Sequence, residues 1–307
     1  MSASISDGTA SRTPRVDVVV VCWNDRDKIT VALDSFFALP EVTTDPSFAN
    51  LVVSDNGSTD GSREFLRERY GQRVRIIENR ANLGFAAACN RAFAATSADY
   101  VYLLNPDAEL KPGALASIVA FMDAHERCGV AGSRIYNYDG SVQQSVGEFD
   151  TWFGAFLRSS AWGDWPMFRR FANGATLRDW HYDTERRIDL AIGAALVIRR
   201  RLIAEIGPFD ERFFLYHEEV DFAKRAAAAG WETWFVPASE AVHEGQGSAK
   251  GQYSVEARKQ RSRRKYWIKH HGFWWYASLN VALIGRYVLY LGVVVGALRA
   301  GRRLLRP

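Results

Sequence analysis

The chain has 307 residues, 48% hydrophobic and 24% charged, a length and composition that bury one large core or two modest ones and exclude a disordered chain. Three cysteines, Cys22, Cys89 and Cys128, have no metal-ligand spacing and cannot all pair, which fits a reducing compartment. The net charge of +4 hides an asymmetry: residues 251–307 hold 12 Lys and Arg against Glu256 alone, so the tail carries about +11 and residues 1–250 about −7.

Residues 1–15 are polar and Ser/Thr-rich, and are expected to form a loose tail rather than a signal peptide or anchor. Val16 to Cys22 is a continuous β-branched run, read as a strand. Ile29, Leu33, Phe36 and Phe37 have helical spacing, so residues 28–39 are expected to be helical. A short strand from Leu51 ends at Asp55, and Asn56-Gly-Ser-Thr-Asp-Gly-Ser62 is a turn feeding a helix over 64–70. Residues 74–77 read as a strand, 84–95 as an Ala-rich helix, 100–104 as a strand, and 112–125 as a helix with Pro in its first turn. This alternation argues for a mainly parallel α/β sheet with helices on both faces.

Tyr100 to Leu104 is apolar without alternation, as in a buried parallel strand. Asn105-Pro106-Asp107 then delivers a carboxylate to the strand's C-terminal end, the edge where open α/β sheets bind ligands. Asp107 there suits a hard cation bridging to phosphates, or simply ends a solvated turn.

The second half is less regular. Residues 148–182 are crowded with aromatics, Trp180 among them, and read equally as a core flap or as an acceptor-binding surface. Strand character returns over 188–199 around Gly193, and a short strand over 233–236 leads to His243. His217-Glu218-Glu219-Val220-Asp221 opens a helix. Acidic residues complement the helix dipole there, but three carboxylates and a His in five residues exceed what capping requires.

These segments resemble the inverting family 2 glycosyltransferases with the GT-A fold, especially the bacterial rhamnosyltransferase-like branch. The resemblance rests on Cys22-Trp23-Asn24, Ser54-Asp55-Asn56-Gly, Asn79-Arg-Ala-Asn82-Leu-Gly84-Phe85, Leu-Leu-Asn105-Pro-Asp107, Gly193-Ala-Ala, Gly207-Pro-Phe-Asp210, His-Glu218-Glu219-Val-Asp221, His243 and the closing Lys269-His270-His271-Gly272.

The resemblance implies a GT-A domain over 16–250, with a nucleotide-sugar half at 16–130 and an acceptor half at 131–250. It implies a donor site of Cys22, Trp23, Asn24, Asp55, Asn82, Gly84, Asn90, Asn105 and Asp107, with Asp55 reading the nucleobase. Asp107 and His243 would hold Mg²⁺ or Mn²⁺ against the diphosphate. Glu219 would be the general base, with Glu218 as the alternative, and Gly193, Asp221 and Trp180 would face the acceptor. Asn105 and Glu219 stand where the family more often has Asp. The implied reaction moves a sugar, rhamnose from dTDP-rhamnose as the best guess, to a polyprenyl-diphosphate-linked or cell-surface glycan. A UDP-sugar donor, or a catalytically silent module, is the alternative. A dinucleotide-binding reading fails because no Gly-x-Gly-x-x-Gly turn follows the first strand.

Residues 251–307 are expected to associate with a membrane. Phe273 to Leu298 is mostly apolar and, as a helix, would be ~39 Å long. Basic clusters flank it on both sides and Arg286 lies within it, which favours an interfacial or re-entrant arrangement over a single span. That places the protein at the cytoplasmic face of a bacterial inner membrane. Basic and aromatic residues mix over 261–267, but the adjoining apolar run fits lipid better than nucleic acid. Gly292-x-x-x-Gly296 suggests helix pairing, hence a homodimer through the tail.

Overall fold

The computed structural model describes residues 14–158, 165–169, 171, 177, 180–245 and 252–285. The expectations for the start of the chain, for Arg286 and for the Gly292 and Gly296 pair lie outside these residues.

The first half alternates as expected. It runs β1 (Val16–Cys22), α1 (Ile29–Ala38), a short α2 (Pro40–Thr44), β2 (Ala49–Asp55), α3 (Ser62–Tyr70), β3 (Arg75–Glu78), α4 (Phe85–Ala94) and β4 (Tyr100–Leu104). After β4 come a three-residue β5 (Ala108–Leu110), α5 (Ala114–Ala124) and β6 (Cys128–Tyr136). The remainder comprises β7 (Val146–Gly147), α6 (Trp152–Arg158), α7 (Pro166–Arg169), β8 (Arg186–Ile188), β9 (Leu190–Ala191), β10 (Ala195–Arg199), α8 (Arg200–Ile206), α9 (Glu218–Ala228), β11 (Glu232–His243) and α10 (Gln252–His271).

The main sheet has the order β3-β2-β1-β4-β10-β6-β11-β5, with β8 also on β11. Its first four strands are mutually parallel, whereas β10 runs antiparallel to both β4 and β6. The sheet is therefore mixed. Val16, Val18 and Val20 of β1 join Leu33, Leu66 and Leu115 on one face; Val19 joins Cys89, Leu103 and Phe222 on the other. Helices cover both faces, so the central strands are apolar throughout.

Two departures from the sequence reading position the site. The strand expected over 233–236 continues to His243, so this histidine sits on β11 itself. Pro237 interrupts the pattern, and the pairing with β6 shifts register between Val236 and Glu240, as at a bulge. Residues 188–199 fold as three short strands rather than one.

The described residues divide into two compact units, one within 1–149 and 175–259 and the other within 150–174 and 260–307. In the second unit, Trp152 stacks on Phe156 and donates its indole N–H to Ser278 Oγ at 3.1 Å. Residues 273–285 are helical. No helix among the described residues is long and apolar enough to cross a membrane.

Candidate active site

The strand register brings the expected donor residues to one edge. Cys22 pairs with Asp55 at the ends of β1 and β2, while Val20 pairs with Leu104 of β4. Parallel strands in register must end together, so Asp55 and the Asn105–Asp107 turn share the carboxyl edge. Asp55 is fully buried. Its Oδ1 accepts from the Ser58 amide at 3.2 Å, and Oδ2 lies 3.5 Å from Arg63 Nε without a hydrogen bond.

Asn24 adopts a left-handed φ of 55° and accepts from the Thr59 amide at 2.7 Å, stitching the β1 and β2 loops together. Trp23 beside it is 42% exposed. Burial pushes the Cys22 thiol up to about 11, so this group packs rather than reacts. Asn82 bonds both the Asn56 side chain and the Gly84 amide, at 3.0 Å each. The Asn90 side chain is committed to the backbone of Phe209 and to Glu211. It anchors the loop before α9.

Asp107 and His243 meet because β5 pairs antiparallel with β11, setting His243 opposite Ala108. His243 Nε2 lies 3.3 Å from Asp107 Oδ1 and 3.1 Å from Asn105 Nδ2. Burial opposes ionisation of Asp107, but His243 and the nearby Lys28 outweigh it and hold its carboxyl below the ordinary value. Burial and the charge of Asp107 raise neighbouring Asp25. Lys28 meanwhile pairs with Glu244, immediately after His243.

Among the described residues there is no cluster of three or more His, Cys, Asp and Glu that holds a metal. Asp107 and His243 offer one carboxylate oxygen and one imidazole nitrogen converging on a buried point. That fits a Mg²⁺ or Mn²⁺ ion completing its shell with diphosphate oxygens and water. It does not fit an all-protein cage.

Glu218 and Glu219 open α9. Glu218 is buried, Glu219 half-buried, and Oε2 of each lies inside the protein without a hydrogen bond. Both charges act on Cys89 of α4. Burial, followed by repulsion from Glu219, pushes Glu218 well above the ordinary carboxyl value, and burial also raises Glu219. Two such groups in one dry site favour sharing a proton over both being ionised. Tyr216 and His217, just before them, have left-handed φ values of 68° and 71°, a strained approach typical of functional turns.

The other acceptor candidates lie apart in role. Asp221 is buried and paired with Arg225 at 3.0 Å, and Arg225 donates onward to the carbonyls of Ile206 and Pro208. Trp180 stacks on Tyr182 and meets Phe235 edge-on inside a small apolar cluster. Gly193 precedes β10 at the carboxyl edge and faces the ring of Phe85. Arg63 and Lys28 had no sequence signal, since isolated basic residues in helical starts are common.

A mixed α/β sheet that gathers Asp55, Asp107 and His243 at its carboxyl edge has the architecture of an enzyme that binds its ligand at that edge. Residues 17–184 match the family model described as "Glycosyl transferase family 2", and the chain belongs to that family. It is 29% identical over 284 residues, 88% of this chain and 91% of the relative, to the N-acetylglucosaminyl-diphospho-decaprenol L-rhamnosyltransferase of Mycobacterium tuberculosis. Among solved structures, it resembles the mannosyltransferase PcManGT from Pyrobaculum calidifontis in complex with GDP-Man and Mn²⁺. That match has TM-score 0.56 and 16% identity, covering 96% of this chain and 82% of that one. It also resembles GalNAc-T7 with UDP, GalNAc and Mn²⁺, with TM-score 0.57 and 17% identity; the match covers 83% of this chain and half of that longer one. The protein is a glycosyltransferase with a GT-A-like fold.

Proposed function

We propose that the protein transfers rhamnose from dTDP-rhamnose, with inversion, to a polyprenyl-diphosphate-linked glycan at a membrane surface. The observation that carries the reaction type is the division of labour at the carboxyl edge: Asp107 with His243 on one side, Glu218 with Glu219 on the other. The sugar and acceptor rest on the mycobacterial relative, whose likeness spans nearly both chains.

Asp55 and the loops locked by Asn24 and Asn82 receive the nucleoside. Asp107 and His243 would hold a divalent cation, which supplies charge neutralisation for the departing nucleoside diphosphate. Glu219 accepts the proton of an acceptor hydroxyl as that oxygen bonds to the anomeric carbon. The bond from that carbon to the diphosphate oxygen breaks on the opposite face, so configuration inverts. Glu218 sits close enough to share the proton and so sets the pH at which Glu219 is free to accept one.

The membrane reading rests on the second unit. Phe273, Trp274, Trp275, Val281 and Ile284 are exposed on or beside its helical end, which follows the seven basic residues between Arg258 and Lys269. Exposed aromatic and aliphatic groups beside clustered cations suit an anionic bilayer interface.

The test is transfer by the full chain from dTDP-rhamnose to N-acetylglucosaminyl-diphospho-polyprenol with Mn²⁺, with the product's anomeric configuration read by NMR. An inverted rhamnoside supports the proposal. Transfer only from UDP-sugars overturns the donor assignment, and a retained configuration overturns the mechanism.

A further inference from the structure

His243 is held from behind by a chain of side chains that has one direction only. Its Nδ1 lies 3.0 Å from Gln143 Oε1. Gln143 Nε2 donates to Asn137 Oδ1 at 2.9 Å, and Asn137 Nδ2 donates to Ser141 Oγ at 2.9 Å. The Ser141 hydroxyl donates to Asp139 Oδ1 at 2.6 Å. Hydrogen bonds from Ser141 hold Asp139 below the ordinary carboxylate value, so it is an acceptor only.

That terminus orients every link. Ser141 must give its proton to Asp139, so its oxygen receives from Asn137. The Asn137 oxygen therefore receives from Gln143, and the Gln143 oxygen faces the ring. Amide and imidazole orientations are assigned through such networks, and this one leaves a single consistent solution. The turn is itself fixed: the Asn137 amide donates to the Ser141 carbonyl at 2.8 Å, and the Gln143 amide to the Ile135 carbonyl at 2.8 Å. The chain leaving His243 closes over Gln143 at Gly245. With φ at 61°, a Cβ there would lie 2.9 Å from Gln143 Nε2.

We propose that Asp139, Ser141, Asn137 and Gln143 form a one-way relay that holds the His243 Nδ1–H against Gln143 Oε1 and so aims Nε2 at the Asp107 site for a divalent cation. The inference rests on the reading of Asp107 and His243 as the cation site. With Nδ1–H given to Gln143, Nε2 faces Asp107 Oδ1 at 3.3 Å and Asn105 Nδ2 at 3.1 Å. A cation entering there would take the Nε2 electron pair while Gln143 keeps the ring in place. Gln143 is thus a positioning residue that touches neither donor nor acceptor.

The test uses the full chain with 15N-labelled histidine, free of metal. His243 is assigned by the signal lost in His243→Asn. Wild type is expected to show a hydrogen-bonded Nδ1–H, and Gln143→Leu to lose it. Mn²⁺ affinity, measured by titration with dTDP present, is expected to fall about 10- to 100-fold in Gln143→Leu, as for other residues behind metal-bound histidines. Gln143→Glu, which keeps the acceptor, is expected to restore both. Asn137→Ala, which frees the Gln143 amide to turn over, serves if Gln143→Leu does not fold, and is expected to weaken both. If these variants keep the hydrogen-bonded Nδ1–H and wild-type affinity, the relay is overturned. If wild type binds no Mn²⁺ with dTDP, the cation reading falls, and the tautomer spectra alone decide the relay.

Discussion

The amide of Phe85 donates to the carbonyl of Phe214 at 2.7 Å, tying the first residue of α4 to the loop that delivers Glu218 and Glu219. The bond exists because Gly84 lets the two backbones touch. A Cβ on Gly84 would lie 2.4 Å from the Phe214 oxygen, and φ there is 87°. Donor-side and acceptor-side elements are thereby one mechanical piece. Gly84→Ala should destabilise the fold by about 1–3 kcal/mol from backbone strain alone. It should also lower kcat, because the carboxylate pair moves with the loop. Thermal unfolding together with steady-state rates checks this; unchanged values in both would show that the contact bears no strain.

Asp107→Ala should abolish transfer and weaken dTDP binding in Mn²⁺. It should have little effect on dTDP binding in chelator, because Asp107 acts through the cation. Isothermal titration in the two buffers separates these effects. Equal losses in both would mean that Asp107 contacts the nucleotide directly.

Glu219→Gln should leave the KM for donor near wild type and lower kcat at least about a hundredfold, the usual contribution of a positioned base. Glu218→Gln should cost less and leave the acidic limb of the kcat profile close to wild type, because Glu218 lowers Glu219 by hydrogen bonding and a glutamine amide can still donate. If Glu218→Gln gives the larger loss, the two roles are exchanged.

The same pair makes stability depend on pH. Burial raises both carboxyls in the folded protein, so the native state holds more protons than the unfolded chain above the unfolded glutamate value of about 4.3. Stability must then fall as pH rises from that value through the pair's raised folded titration range. Glu218→Gln removes the stronger penalty. Denaturant midpoints at stepped pH should show the variant gaining on wild type as pH increases. A constant difference would mean that Glu218 has an ordinary affinity for protons.

Membrane association should divide into a salt-sensitive and a salt-resistant part. Truncation after Gly272 keeps the basic residues from Arg258 to Lys269, so it should abolish flotation with anionic vesicles at high salt, weaken it at low salt, and leave dTDP binding intact. Trp274→Glu with Trp275→Glu should reduce flotation at high salt more than at low salt, since apolar burial is not screened. Full flotation of the truncated chain would place the lipid contact elsewhere.

The sequence by itself determined the alternation of β1 to β4 with their helices, because continuous apolar runs and helical spacing are local patterns. It also singled out Asp55, Asp107 and the Glu218–Glu219 pair, because each ends or begins an element whose type is legible. His243 drew attention only as a second ligand to a metal held by Asp107, and its strand was read too short, because Pro237 breaks the period that marks a strand. Tertiary structure decided what no local pattern encodes. The pairing of β5 with β11 brings Asn105 within 3.1 Å of His243 across 138 residues of chain. It also decided that Asn90 and Asp221 brace the loop before α9, and that Gln143, a polar residue in a polar turn, stands behind His243. Hydrogen-bond direction is a property of a closed network, and the partners of such a network are adjacent only after the sheet has formed.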